Sequence, residues 1–515
     1  MGLGMVATAG AGVLSLAAMM NSSYAHADTE DDIGLVMGGS GLPIPGPTYV
    51  GAADALYLNN PGIPHGPLYP DITFYQATST DPGSPGFFGN GLFTPEGLYP
   101  LTGVHTLELN YPSDANGFPS GSTSVGQGMQ ILESTIAAEQ NAGETPIVFG
   151  YSQSSTISSY VMQQLDPTGA QHTGALDPQF LLLGDPSNPN GGLLSRFDGF
   201  TLSSGHVVSD PLSLPALGVS FDSFTPADDY VTNIYSLEYD GFTDFPRYPL
   251  NFLSDLNAFL GIATIHGTYL NAGIDGSGPT GGEIAGATLL PGSLADGATD
   301  SLTNYYMIGE TAPLVALLPT PLQELLGPDL TYLINLGYGD GTLGYSVDAG
   351  SPADINTPFG LFPDVSVKDV FTTLIADTKE GFQNLINGVD PYASTLDPGS
   401  AGQSIAEAMA AVHAGLAADP SGALTDLINA LTSASSAAYS ALLPTADIIN
   451  SLVTSMPAYD VSLFTETLAN GGGLLDALGL PLAADTALVT LAGGFEFEVL
   501  QNTISEIAAA FSSAF

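Results

Sequence analysis

The chain has 515 residues, enough for more than one domain, and a formal charge of −48 from 52 acidic against 4 basic residues. Charged residues make up only 11 %, against roughly 25 % in ordinary soluble domains, so the oddity is the scarcity of Lys and Arg rather than an excess of acid. Four dispersed cations, Arg196, Arg247, Lys368 and Lys379, cannot track a phosphate backbone, which excludes a nucleic-acid partner; the lack of cysteine excludes a thiol nucleophile, a thiolate metal site and disulfides.

From the N-terminus, residues 1–27 carry no Lys, Arg, Asp or Glu, are apolar from Val6 to Met20 and end in Ala25-His26-Ala27. This pattern is expected of a signal peptide or signal anchor, and hence of a secreted or cell-envelope protein. No later segment is expected to span a bilayer, since charge-free stretches such as Leu427 to Ala446 are broken by Ser, Thr, Asn and Pro. Ile33 to Met37 reads as a strand followed by Gly38-Gly39-Ser40-Gly41. Thr106 to Tyr111 alternates like a strand, and Val125 to Asn141 has helical spacing. Strand character returns at Pro146 to Phe149, at Phe180 to Leu183 before Gly184-Asp185-Pro186, and at Val231 to Tyr239 before Asp240-Gly241; helical spacing returns at Gln153 to Leu165 and Leu250 to Leu260. Strands alternating with helices predict an α/β domain with a mostly parallel sheet covered on both faces, over residues 28–345. Residues 346–515 are Ala/Leu-rich, with breaks at Pro391, Pro420, Pro444, Pro457 and Gly471-Gly472-Gly473. They read as a mostly helical region whose ordinary role is packing, ahead of lipid or partner binding.

The motif that carries chemistry is Thr145-Pro-Ile-Val-Phe-Gly150-Tyr-Ser152-Gln-Ser154. A buried strand, a Gly-x-Ser-x-small turn and a helix in immediate succession form the context of a nucleophile elbow, which throws the serine hydroxyl clear of the sheet edge. Ser154 stands where glycine is usual. A serine nucleophile needs a base, and the base needs a carboxylate to orient it, in the chain order Ser, Asp or Glu, His. Of the seven histidines, His26 lies in the leader, His65 and His105 precede the serine, and His172 follows it with no strand-end acid between. His206 precedes the Asp240 strand and His413 lies in the Ala-rich region, which leaves His266. Tyr239-Asp240-Gly-Phe-Thr-Asp244 offers two acids, of which Asp240 is expected to end its strand directly; Asp185 is a third, in a setting that looks more like turn chemistry. The backbone N–H of Gln153 and the loop at Gly39 and Ser40 are the expected oxyanion donors. This chemistry needs no metal or organic cofactor.

In combination, Gly-Tyr-Ser-Gln-Ser around Ser152, Gly-Gly-Ser-Gly at 38–41, Tyr-Asp-Gly-Phe-Thr-Asp-Phe-Pro-Arg-Tyr-Pro-Leu-Asn at 239–251, His-Gly-Thr-Tyr-Leu at 266–270 and Asn335-Leu-Gly-Tyr-Gly-Asp340 resemble the PE-PPE domain. Its members are serine hydrolases of mycobacteria and relatives, similar to cutinases. The resemblance covers about residues 30–345 and implies an α/β-hydrolase fold and esterase activity on acyl esters. It implies Ser152 as nucleophile, His266 as base, Asp240 as orienting acid, and Gln153 with Ser40 as oxyanion hole. The cutinase cysteines are missing, and the PE or PPE helical module that usually precedes the domain is not expected here.

The expected function is a carboxylester hydrolase working through an acyl-enzyme. The same acyl-enzyme can instead acylate a sugar, as in acyltransferases that build acylated trehalose and other envelope glycolipids. A different reading is a non-catalytic envelope interaction protein on a hydrolase scaffold. Expected partners are an acyl ester or glycolipid and a peripheral envelope or lipid contact. The apolar residues between Asp240 and His266, among them Phe242, Phe245, Phe252 and Phe259, form either core or an acyl groove.

Overall fold

A computed structural model of the chain describes residues 32–40, 45–63, 69, 72–74, 124–201, 207–208, 213–214, 219–221, 224–274, 276–348, 350–392, 410 and 422–514. The leader at residues 1–27, Gly41, the expected strand Thr106 to Tyr111, and His26, His65, His105, His206 and His413 lie outside them.

Seven strands form one sheet: β1 (Asp32–Val36), β2 (Thr73–Phe74), β3 (Thr145–Tyr151), β4 (Gln179–Leu183), β5 (Thr232–Leu237), β6 (Thr288–Leu289) and β7 (Thr303–Ile308). Their order is β6-β7-β5-β4-β3-β1-β2, and every neighbouring pair is parallel except the edge pair β6–β7. The expected α/β architecture with a mostly parallel sheet is the one observed. The chain leaves β1 toward β2 and returns on the other side of β1 as β3. The carboxyl ends of β1 and β3 therefore bound the crevice of a topological switch point, where open α/β sheets place their ligands.

The strands are apolar on both faces, so consecutive residues enter different cores. Ile147 and Phe149 of β3, Leu181 and Leu183 of β4 and Tyr235 of β5 pack on one side. Val148, Phe180, Leu182 and Ile234 pack on the other, under helices α2 (Ser124–Ala142) and α3 (Gln153–Leu165). The first side is covered by α1 (Pro47–Ala53) and by the residues around α4 (Phe252–Thr264) and α5 (Thr320–Asn335). The strand β7 and its edge partner were not anticipated: Thr303 to Ile308 is Thr-Asn-Tyr-Tyr-Met-Ile, whose polar and aromatic letters hide a strand that is nevertheless mostly buried.

Beyond residue 345 the chain still belongs to the sheet domain for a stretch. Val347 and Ala353 join the α2–α3 core. The fully buried Arg196 guanidinium donates to the carbonyls of Phe245 and Thr357 and to the side chains of Asn190 and Ser346, pinning this segment down. Helices follow: α6 (Val367–Asn387), α7 (Gly422–Ser440), α8 (Leu442–Asn450), α9 (Met456–Ala469) and α10 (Leu474–Ala514). Contrary to the expectation that no later segment could span a bilayer, α10 is long and apolar enough to cross a membrane by length and composition. Pro481 and five scattered acids obscure this in the sequence. In the structure α10 is the spine of the helical region: Ala483, Ala484, Ala487, Leu488 and Leu491 are buried with Leu463 of α9 and with Ala258 and Ile262 of α4.

Candidate active site

β3 runs into the sheet edge at Tyr151, and the chain reverses at Ser152 into α3. Ser152 adopts φ 57° and ψ −120°, one of two non-glycine residues with positive φ among those described. Such a conformation is strained for a residue with a Cβ and marks a site where the surroundings over-determine the backbone. Crowding explains the small neighbours: a Cβ on Gly150 would lie 3.0 Å from the Ser154 carbonyl oxygen. Ser154, the letter that departs from the usual glycine, is buried and laces the turn, with its Oγ 2.8 Å from the donating Tyr151 N–H and 3.0 Å from the Tyr151 carbonyl.

Three side chains from distant segments meet at this turn. His266 Nε2 is 2.8 Å from Ser152 Oγ, and His266 Nδ1 is 2.8 and 3.0 Å from the two oxygens of Asp240. His266 opens a one-turn helix (His266–Thr268) just after α4. Asp240 does not end β5 directly, as the sequence reading had it. The strand stops at Leu237, and Asp240 sits in a turn behind Tyr239, whose φ is 66°. That turn lies so close on α4 that a Cβ on Gly261 would fall 1.9 Å from the Tyr239 carbonyl oxygen. Glycine at 261 thus lets the acid loop rest on the helix that ends at the histidine.

Asp240 is fully buried and its carboxylate is saturated with donors: besides His266, the Tyr269 O–H at 2.9 Å and the Phe242 N–H at 3.1 Å. Tyr269 also accepts the Leu237 N–H, which locks the phenol. The imidazole is held from both sides. Tyr151 stacks on it with ring centroids 5.4 Å apart and donates its O–H to the His266 carbonyl at 2.6 Å, while the Phe242 ring meets it edge-on at 4.6 Å. Desolvation pulls the His266 pKa down, but the charge and hydrogen bond of Asp240, with a further contribution from Glu498, outweigh it and leave it raised.

The other expected residues are placed as follows. Asp244 is buried too, but its carboxyl receives the Tyr239 N–H at 2.9 Å, and it is Asp240 that bonds His266; burial holds the Asp244 pKa far above the usual carboxylate range. Asp185 accepts from Ser187 N–H and Thr225 O–H, and burial raises it to about 6. His172 bonds Asp166 at 3.1 Å and stacks on Tyr230 just before the start of β5, at the opposite end of the strands from this turn. Gly39 is brought against the serine: a Cβ there would lie 3.3 Å from Ser152 Cβ and 3.0 Å from the Tyr151 ring. Ser40 follows it in the same loop, and Gln153 is buried as the first residue of α3. Sequence reasoning missed Tyr151 and Tyr269, left Phe242 open between core and acyl groove, and missed Glu498. The first three stood inside the quoted motifs, but only the fold shows that they touch the imidazole or its acid.

An imidazole between a hydroxyl and a buried carboxylate, in this tautomer-fixing geometry, can accept a proton from the hydroxyl and return it elsewhere. The PE-PPE domain matches residues 85–339 of the chain. PPE family protein PPE28 of Mycobacterium tuberculosis is 36 % identical over 94 % of this chain and 67 % of its own length. Esterase PE16 of the same organism is 34 % identical over 61 % of this chain and 52 % of its own length, and PE family protein PE3 is 32 % identical over 71 % and 68 %. The chain thus spans between about half and two thirds of these relatives. No solved structure matches it significantly. The matched domain and a relative aligned over 94 % of this chain, on top of the site's geometry, show that the chain belongs to the PE-PPE domain family.

Proposed function

We propose that the protein is a serine carboxylester hydrolase of esterase or lipase type, secreted or held in the cell envelope. The observation that carries the reading is the unbroken line Ser152 Oγ–His266–Asp240, with 2.8 Å at each link, at the switch point of the sheet. The relative named Esterase PE16 supports the same class. Ser152 Oγ attacks the ester carbonyl while His266 Nε2 takes its proton. The oxyanion is received by the Gln153 N–H and the Gly39-Ser40 loop. His266 then protonates the departing alcohol, leaving the acyl group on Ser152. Asp240 stays ionised; it fixes the imidazole and balances the imidazolium. Phe242, backed by Phe495 with centroids 6.0 Å apart, offers an apolar wall for the acyl chain.

A second reading ends the cycle differently, with a sugar hydroxyl in place of water as acceptor. It is favoured by the apolar wall over the histidine, because a site that excludes water favours transfer. Both readings require a labile Ser152. A fluorophosphonate probe should modify wild type at Ser152 and leave Ser152→Ala unmodified, and the labelled enzyme should lose p-nitrophenyl ester turnover. Absence of labelling in folded wild type would leave a non-catalytic envelope interaction protein as the better account. Given a long-chain acyl donor and trehalose, accumulation of acyl-trehalose at the expense of free acid would favour the transfer reading.

A further inference from the structure

The C-terminal spine α10 does more than pack. Gly493 and Gly494 let it lie directly on α4: Cβ atoms there would approach Phe259 to 3.2 Å and Ile262 to 3.0 Å. His266 comes four residues after Ile262, just past the end of α4. One residue past Gly494, Phe495 presses on Phe242, whose ring touches His266. Glu498 is one helical turn beyond Gly494 and Phe495, on the same side of α10. Val499 beside it is buried in the seam. Glu498 itself is part-exposed, and among the described residues its carboxyl makes no hydrogen bond or ion pair. Its neighbours in charge are His266, Asp240 and Tyr151, all members of the site. Burial is the largest influence on it and pushes it up to about 7; His266 pulls it down and Asp240 pushes it up. Its carboxyl thus stands one turn from the point where α10 packs on α4, beside the groups of the site.

We propose that Glu498 is a positioning residue of the Ser152 site, whose carboxyl accepts a hydrogen bond from the molecule that takes the acyl group: from the second O–H of water, or from a hydroxyl of a sugar next to the one that reacts. This rests on the acyl-enzyme reading above. In the second half of the cycle the acceptor hydroxyl gives its proton to His266 Nε2 and its oxygen bonds the acyl carbon. The Ser152 Oγ–acyl bond then breaks, its electron pair returns to Oγ, and His266 returns the proton there. Glu498 gains and loses nothing; it fixes the acceptor's direction, which Asp240, saturated by its own donors, cannot do. The C-terminal region is on this account part of the reaction chamber, where its sequence suggested packing ahead of lipid or partner binding.

The test uses full-length Glu498→Gln, which keeps the shape and removes a desolvated acid, so Tm is expected to be unchanged or higher. Fluorophosphonate labelling of Ser152 should keep its rate within about twofold, while p-nitrophenyl ester turnover falls on the order of 10- to 100-fold, the scale of lost alignment. The intact mass of the variant should show acyl-enzyme accumulating where wild type shows none. Glu498→Asp should restore part of the turnover, and Glu506→Gln on the same helix should change nothing. Repeating the reaction with trehalose separates the acceptors: loss chiefly of acyl-trehalose marks the sugar, loss chiefly of free acid marks water. Turnover that is unchanged, or that falls together with labelling and without acyl-enzyme accumulation, would overturn the proposal. Failure of wild type itself to label would instead remove the acyl-enzyme reading on which it stands.

Discussion

In the sheet domain Phe149, Phe180, Leu181 and Tyr235 are at most 1 % exposed, whereas on α6 of the helical region Phe371 is 64 %, Ile375 72 % and Ile386 79 % exposed. The sheet closes its own two cores. Among the described residues the buried seam around α10 is shared with the sheet domain: Leu488, Leu491 and Phe495 of α10 meet Phe242, Ala258 and Ile262 beside the candidate site. Burial of apolar area is the main favourable contribution to folding. That seam holds α10 against the edge of the site, whereas α6 rests on α5, where a Cβ on Gly381 would fall 2.0 Å from the Leu325 carbonyl oxygen; the two regions are coupled through α10 where the chemistry is proposed to occur.

The largest effect expected on that coupling is catalytic. Ser152→Ala should abolish ester turnover with Tm nearly unchanged, measured by p-nitrophenyl ester hydrolysis and calorimetry, because the small hydroxyl carries chemistry and almost no packing. Asp240→Asn should lower kcat by on the order of 10⁴-fold, since the amide no longer holds the productive tautomer. Asp244→Asn should leave kcat within about tenfold, because Asp244 serves the Tyr239 N–H rather than the imidazole. A reversed order of these two would reassign the acid.

The seam itself can be broken without touching the triad. Gly494→Val sets branched carbons against Ile262, and overpacking of this kind costs about 1–3 kcal/mol. It should loosen α10 and lower activity together. Gly471→Ala, at φ 82° in open space, is expected to cost about 1–2 kcal/mol of backbone strain and to leave activity alone. Equal effects of the two on activity would argue that the helical region is a passive appendage.

The smallest effect, and the sharpest in sign, is the opposition of stability and activity along pH. Asp185 is raised to about 6, Glu310 and Glu498 to about 7 and Asp255 to about 8, in each case chiefly by burial. A folded pKa above the unfolded one means that the native state binds the extra proton, so stability is full below the unfolded carboxyl range and declines as pH rises toward the folded values. Tm should therefore be higher near pH 5 than near pH 8. His266 must be neutral to act as base and its pKa is raised, so kcat/KM should climb with pH through a value above the ordinary imidazole range.

Much of this was legible in the letters. The buried strand, Gly150-Tyr-Ser152 and the following helix stated the elbow, and elimination among the histidines left His266. What the letters hid depended on folding. The turn that carries Asp240 past the end of β5 is set by a left-handed Tyr239 and by its close rest on Gly261, two residues with no local pattern in common. Tyr269 looks like core until its hydroxyl is seen on Asp240. Glu498 is 232 positions beyond His266 in an Ala/Leu-rich region that reads as packing helices, and only the docking of α10 on α4 brings the two together.

The most direct test of the account is the site of covalent capture. Full-length protein treated with a fluorophosphonate, digested and read by mass spectrometry should carry one adduct, on Ser152, in wild type, and Asp240→Asn and His266→Ala should label far more slowly. An adduct on another serine, or none in a folded sample, would contradict the claim that the Ser152–His266–Asp240 line is a working active site.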